Sequence, residues 1–212
     1  CATTTTTLHL LPSLVLMRRF TMPKLDLQRS TNACAKSPRD EPLSSASQRI
    51  RLDNKKVSVI STNLLLGSNT VAANDTLLQE HNVTHVLNAA GVACPNHHPN
   101  LFTYKTLYFY DKPEHDISTE LYTAIEFIDH AIKTGGTVYI HCHQGVSRSA
   151  TCAIAYLMWH DAISYDEASQ RVKAARDTAS PNPGFIATLL TLEGALKRAA
   201  APDATAATAE PP

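Results

Sequence analysis

Residues 137–160 constrain this chain more tightly than any other stretch. Thr137-Val138-Tyr139-Ile140 is a short, strand-like apolar run, and Ser149 to His160 carries Ala, Ile, Leu and Met packed along a helical pattern. Between them lies only the string His141-Cys142-His143-Gln144-Gly145-Val146-Ser147-Arg148. A strand that passes through so short a loop into a helix makes an anion site. Loop amides and first-turn N–H groups converge on one spot, and the helix dipole favours negative charge there. A cysteine at the base of that site is expected as a thiolate at neutral pH. Arg148 is expected to close the site, because a planar guanidinium grips two phosphate oxygens at once.

The flanking sequence alternates between the two periodicities. Val57 to Ser61, Leu64 to Leu66, Thr84 to Asn88, Tyr104 to Tyr110 and Thr137 to His141 read as strands. Thr70 to His81, Ser118 to Lys133, Ser149 to His160, Ser164 to Asp177 and Asn182 to Ala199 read as helices. Leu121, Ile125, Ile128 and Ile132 line one face of the second helix, which Gly135-Gly136 stops, and Phe185, Leu189, Leu192 and Leu196 line one face of the last. Ser164-x-x-Glu167 forms a capping box, with Ile163 placed for a staple against Ala168. The expected fold is therefore α/β: a single domain with a central, mostly parallel sheet, helices on both faces, and the phosphate-binding loop between strand and helix.

The chemistry this predicts is attack of the Cys142 thiolate on phosphorus, giving a phosphocysteine that water then hydrolyses. The amides of His143, Gln144, Gly145, Val146 and Ser147, together with Arg148, would bind the equatorial oxygens and stabilise their charge. Ser149 would donate to the cysteine sulfur, and His141 would hold the loop rather than act as a base. The leaving oxygen needs an acid. Asp111, at the end of a strand-like run and the start of a polar loop, is the candidate, with Glu114 and Asp116 as rivals in the same loop. Asp116 also reads as an N-cap region residue before Ser118.

These residues resemble the dual-specificity protein phosphatases of the cysteine-based protein tyrosine phosphatase superfamily. Val138 to Thr151 looks like that family's signature loop, Ala155-Tyr156-Leu157-Met158 its following helix, Thr84 to Ala90 its central strand, and Ser180-Pro181-Asn182-Pro183-Gly184-Phe185 its late Pro-Asn-x-Gly-Phe segment. The likeness runs from about residue 57 to 199. It implies phosphocysteine chemistry on phosphorylated proteins, kinases among them, with no metal and no cofactor, and it places the acid aspartate where Asp111 stands. A core this small has little length for walls around a deep pocket, which fits phosphoserine and phosphothreonine as well as phosphotyrosine, in the manner of the small atypical enzymes. The loop has none of the lysines that phosphoinositide-directed relatives carry, which disfavours a lipid substrate. The rival readings are a module that captures phosphopeptides without turnover, and a phosphatase for a glucan, an RNA 5′ end or a lipid.

Composition narrows the classes further. Nineteen basic and nineteen acidic residues give a formal net charge of zero, so nucleic acid is not an expected partner. Five widely spaced cysteines are no secreted disulfide framework, which points to a reducing compartment, cytoplasmic or nuclear. Cys94 or Cys152 could bridge an oxidised Cys142, although small buried thiols are the simpler reading. Among Cys94, His97, His98, His141, Cys142, His143 and Cys152, no pair has the C-x2-C or H-x3-5-H spacing of a zinc site. Residues 1–50 are Thr-, Ser-, Arg- and Pro-rich and read as disordered, 51–199 as the catalytic domain, and 200–212 as a second disordered tail. Leu8 to Met17 is too short to span a bilayer, and no membrane association is expected; residues 1–25, basic without an acid, faintly resemble an organelle transit segment. A start at Cys1 reads as processing, truncation or a doubtful gene start, with Met17 and Met22 as alternatives. The basic cluster Arg49, Arg51, Lys55 and Lys56 reads as a solvated edge or a dock for an acidic partner.

Overall fold

The computed structural model describes residues 45–200. In chain order these form α1 (Ser45–Asp53), β1 (Ser58–Ser61), β2 (Leu64–Ser68), α2 (Asn69–Ala72), α3 (Asp75–Glu80), β3 (His85–Asn88), β4 (Thr103–Thr106), α4 (Ser118–Lys133), β5 (Val138–Cys142), α5 (Arg148–His160), α6 (Tyr165–Ala175) and α7 (Pro183–Ala200). The strands make one five-stranded sheet in the order β1-β2-β5-β3-β4. β1 and β2 form an antiparallel hairpin, and β2, β5, β3 and β4 run parallel. The mostly parallel sheet expected from strand–helix alternation is thus present, with β5 at its centre.

Side-chain alternation divides the core into two layers. Leu64, Leu66, Leu87, Val138 and Ile140 point into the larger one, with Leu121, Ile125 and Ile128 of α4, Ile154 and Met158 of α5, and Phe185 and Leu189 of α7. Leu65, Val86 and Tyr139 point the other way, against Val71 and Ala72 of α2 and Leu78 of α3. All five residues of β5 are buried because both faces are covered. Val138 pairs with Leu64 on one side and His85 on the other, which carries Cys142 to the C-terminal edge of the central strands. Ligand sites of parallel sheets form at that edge.

Several boundaries differ from the sequence expectation. The helix expected over Thr70 to His81 breaks into α2 and α3, because the side chain of Asn74 accepts the Leu77 N–H (3.0 Å) and starts a new helix. The strand expected over Tyr104 to Tyr110 pairs only through Thr106. The chain then leaves the ladder but keeps its alternation, with Tyr108 and Tyr110 exposed and Phe109 fully buried. Half of the capping box forms: Ser164 Oγ accepts the Glu167 N–H (3.2 Å), while the Glu167 carboxylate turns to Arg171 (2.9 Å).

The segment expected to be disordered through residue 50 requires correction, since Ser45–Ile50 belong to α1. Its C-terminal end is tied to the domain. Asp53 O accepts from Arg176 Nη1 (3.1 Å), Asp53 Oδ2 from Thr178 Oγ1 (2.8 Å), and Asn54 O from Ser68 Oγ (2.7 Å). Tertiary bonds of this kind stabilise a short helix that propensity alone would leave marginal. Residues 1–44 and 201–212, on which the rest of that expectation and the expected tail fall, lie outside the described residues.

Candidate active site

β5 delivers Cys142 to the floor of the loop, 2% exposed. Its sulfur accepts two hydrogen bonds, from the N–H of Gly145 (3.2 Å) and from the hydroxyl of Ser149 (3.3 Å). Both donors stabilise negative charge on sulfur. Gly145 turns the loop with φ +70°, where a side chain is strained, and a Cβ there would lie 2.5 Å from the Gly67 carbonyl oxygen.

The loop's carbonyls are fully engaged by the surrounding protein. His143 O accepts from Asn69 N–H (3.2 Å), Val146 O from Ser180 N–H (2.8 Å) and Ser147 O from Thr151 N–H (2.9 Å). Gln144 O accepts from Arg176 Nη2 (2.9 Å) and Gly145 O from Arg176 Nε (2.7 Å). In a trans peptide the N–H points opposite to the C=O. With each carbonyl from 143 to 147 drawn outward, the amides of residues 144–148 face the bowl. The first turn of α5 adds to them: Ser147, at the N-cap position, makes no side-chain cap bond, so the helix's leading amides keep no side-chain acceptor.

Arg148 is 8% exposed and reaches across the loop. Its Nη1 donates to Phe109 O (3.5 Å), its Nε lies 3.8 Å from Asp111 Oδ2, and that buried Nε has no hydrogen-bond partner among the described residues. Asp111 sits on the loop after β4. Its Oδ1 accepts from Ser147 Oγ (2.7 Å) and from Asn182 Nδ2 (2.8 Å). The rivals for the acid are placed elsewhere. Asp116 Oδ1 accepts the N–H (3.0 Å) and hydroxyl (2.7 Å) of Ser118, and these bonds hold its carboxyl below the usual range. Glu114 is exposed, and among the described residues no hydrogen bond ties it to the loop.

His141 is completely buried. Its ring stacks on Tyr139 at 6.0 Å, Nδ1 lies 3.3 Å from Cys142 O, and burial pushes its pKa down to about 4. It is a neutral ring that braces the end of β5. His143 and Gln144 project to solvent at the rim, Val146 is half-buried, and Ser147 is buried against Asp111. His97 and His98 bond Asn69 Oδ1 (2.9 Å) and Ala73 O (3.1 Å) respectively. Cys94 and Cys152 are buried thiols, and desolvation pushes both up, Cys152 strongly.

Two residues of this site escape a reading of the sequence alone. Asn182 stands 71 positions from Asp111, and Arg176 stands 31 from Gly145. Asn182 does fall within the Pro-Asn-x-Gly-Phe segment, which carried a resemblance but no partner. Arg176 gives no signal, because an arginine at the end of a polar helix ordinarily faces water.

The family profile for the dual specificity phosphatase catalytic domain matches residues 64–195. The protein-tyrosine-phosphatase MKP1 of Arabidopsis thaliana is 37% identical over 143 residues, covering 68% of this chain and 18% of that protein. The dual specificity protein phosphatase 1 of the same plant is 39% identical over 145 residues, covering 68% of this chain and 73% of its own length. The crystal structure of human DUSP28 superposes with a TM-score of 0.63 at 31% identity, covering 66% of this chain and 95% of that one. A profile match that runs from β2 through the cysteine loop and into α7 places this chain in the dual specificity phosphatase catalytic-domain family.

Proposed function

We propose that this protein hydrolyses phosphotyrosine and phosphoserine or phosphothreonine in other proteins through a phosphocysteine intermediate. The observation that carries the reading is the sulfur of Cys142. It holds two donors and lies beneath amides that the fold turns inward, beside a buried arginine whose Nε is unpartnered among the described residues. In the first step the thiolate attacks phosphorus in line. The S–P bond forms, the P–O ester bond breaks, and the electron pair leaves on the ester oxygen, which takes a proton from Asp111. Arg148 and the loop amides hold the three equatorial oxygens as their charge grows. In the second step Asp111 accepts a proton from water, water attacks phosphorus, and the S–P bond breaks. Ser149 then donates to the departing thiolate.

Several relatives carry dual specificity in their names, which supports a substrate range that includes Ser, Thr and Tyr phosphates. Kinases phosphorylated on such residues are the proposed partner class. One structural neighbour is described as a tyrosine phosphatase-like serine/threonine/tyrosine-interacting protein, at a TM-score of 0.63, and it favours capture without turnover as the second reading. A panel of matched phosphopeptides separates the two. Phosphate release from all three residue types is the expected result, release from phosphotyrosine alone removes the dual range, and binding with no release replaces the enzyme by the module.

A further inference from the structure

We infer that Asn182 is a positioning residue for the proton donor, acting on Asp111 directly through its side-chain amide and indirectly through Ser147. This rests on the reading of Asp111 as the acid.

The bonds form a closed ring. Asn182 Nδ2 donates to Asp111 Oδ1 (2.8 Å), Ser147 Oγ donates to the same oxygen (2.7 Å), and the backbone N–H of Asn182 donates to Ser147 Oγ (3.2 Å). The directions are fixed from outside the ring. Asn182 Oδ1 accepts the N–H of Phe185 (3.0 Å), so the amide oxygen must face α7 and its NH2 must face Asp111. Ser147 already accepts from Asn182, which points its own proton at the carboxylate. With both donors on Oδ1, the oxygen left to carry a transferable proton is Oδ2, on the side of Arg148 (3.8 Å).

Two further observations support a positioning role. The Asp111 side chain is 34% exposed on a polar loop, and an untethered carboxylate there would spread over its rotamers. The start of α7 also presses against the same loop: a Cβ on Gly184 would overlap the Pro113 carbonyl. Meanwhile Ser147 leaves its helix uncapped, although serine is a preferred N-cap residue, because its hydroxyl is committed to Asp111. The general acid is therefore held by residues from two distant segments of the chain.

The test is the leaving-group dependence of kcat/KM in Asn182→Ser, which keeps a short oxygen to cap Phe185 and loses the reach to Asp111. Hydrolysis is compared between a fluorinated umbelliferyl phosphate, whose phenol departs without protonation, and phenyl phosphate, whose phenol needs the proton. The ratio of the two rates should widen by about tenfold or more, within the range general acid catalysis supplies. The limb of the pH–rate profile that requires the protonated acid should shift with it. Ser147→Ala, which disturbs no cap bond, should widen the ratio in the same sense. An equal loss on both substrates, or an unaltered ratio in both variants, overturns the inference. Asp111→Asn distinguishes that outcome from failure of the underlying reading. If it too leaves the ratio unaltered, Asp111 is not the acid; if it widens the ratio while Asn182→Ser and Ser147→Ala do not, only the positioning role falls.

Discussion

The hydroxyl of Ser149 lies 3.3 Å from Cys142 Sγ and donates to it from the first turn of α5. A hydrogen bond to a charged acceptor contributes about 1.5–3 kcal/mol, equivalent to roughly 10- to 150-fold in rate when it is made mainly in one transition state. That bond strengthens as the S–P bond breaks. Ser149→Ala should therefore slow hydrolysis of the phosphoenzyme more than its formation. Rapid-mixing kinetics with an aryl phosphate should show a burst of phenol followed by a steady state reduced by at least about tenfold.

Cys142→Ser replaces the sulfur with a hydroxyl that stays protonated near neutral pH and is a far weaker nucleophile. Aryl phosphate turnover should vanish, while inorganic phosphate still binds, because Arg148 and the loop amides are untouched. Calorimetry measures the second quantity and a phenol-release assay the first. Retained turnover would remove Cys142 from the nucleophile's place.

Legibility followed the range of the interactions. β5, its loop and α5 are adjacent in the chain and carry Cys142, Arg148 and Ser149, so their spacing alone encodes the anion site. The buried faces of α4 and α7 were equally readable, because Leu121, Ile125 and Ile128, like Phe185, Leu189 and Leu192, repeat at helical period. Asp111 and Asp116 are acids of one loop and share the same local sequence signal. They differ in their contacts: Asp116 turns back on Ser118, whereas Asp111 lies beside Arg148. Asn182 and Arg176 act across dozens of residues, and no local pattern marks a bond that only the folded sheet closes.

Arg176 is 1% exposed, and its guanidinium donates to Gln144 O, Gly145 O, Asp53 O and Ser58 Oγ. Removing it strands the buried Gly145 carbonyl, at about 1–3 kcal/mol, and leaves the part-buried carbonyls of Gln144 and Asp53 without that donor. Arg176→Met should lower the unfolding free energy by several kcal/mol and weaken oxyanion binding, because Gln144 and Gly145 would then be free to turn. Arg176→Lys keeps a cation without the fork, so it should recover stability in part and oxyanion affinity less. Chemical denaturation and tungstate inhibition, measured on both variants, check the two effects separately.

Burial holds His141 neutral, with its pKa pushed down to about 4 from an ordinary 6.5. Between those two values the unfolded chain binds a proton that the native chain does not, so unfolding free energy rises with pH across that window. Its contribution is complete above about pH 6.5 and is lost as pH falls towards 4, amounting to roughly 3 kcal/mol at one pKa unit per 1.4 kcal/mol. Acidic groups such as Asp116, also held low, push in the same direction, so the wild type alone cannot isolate the effect. The difference between wild type and His141→Asn can. Urea denaturation of both at pH 7 and pH 4.5 should show the wild type losing more stability on acidification than the variant. Parallel losses would mean that the ring of His141 accepts its proton in the folded state as readily as in the unfolded one.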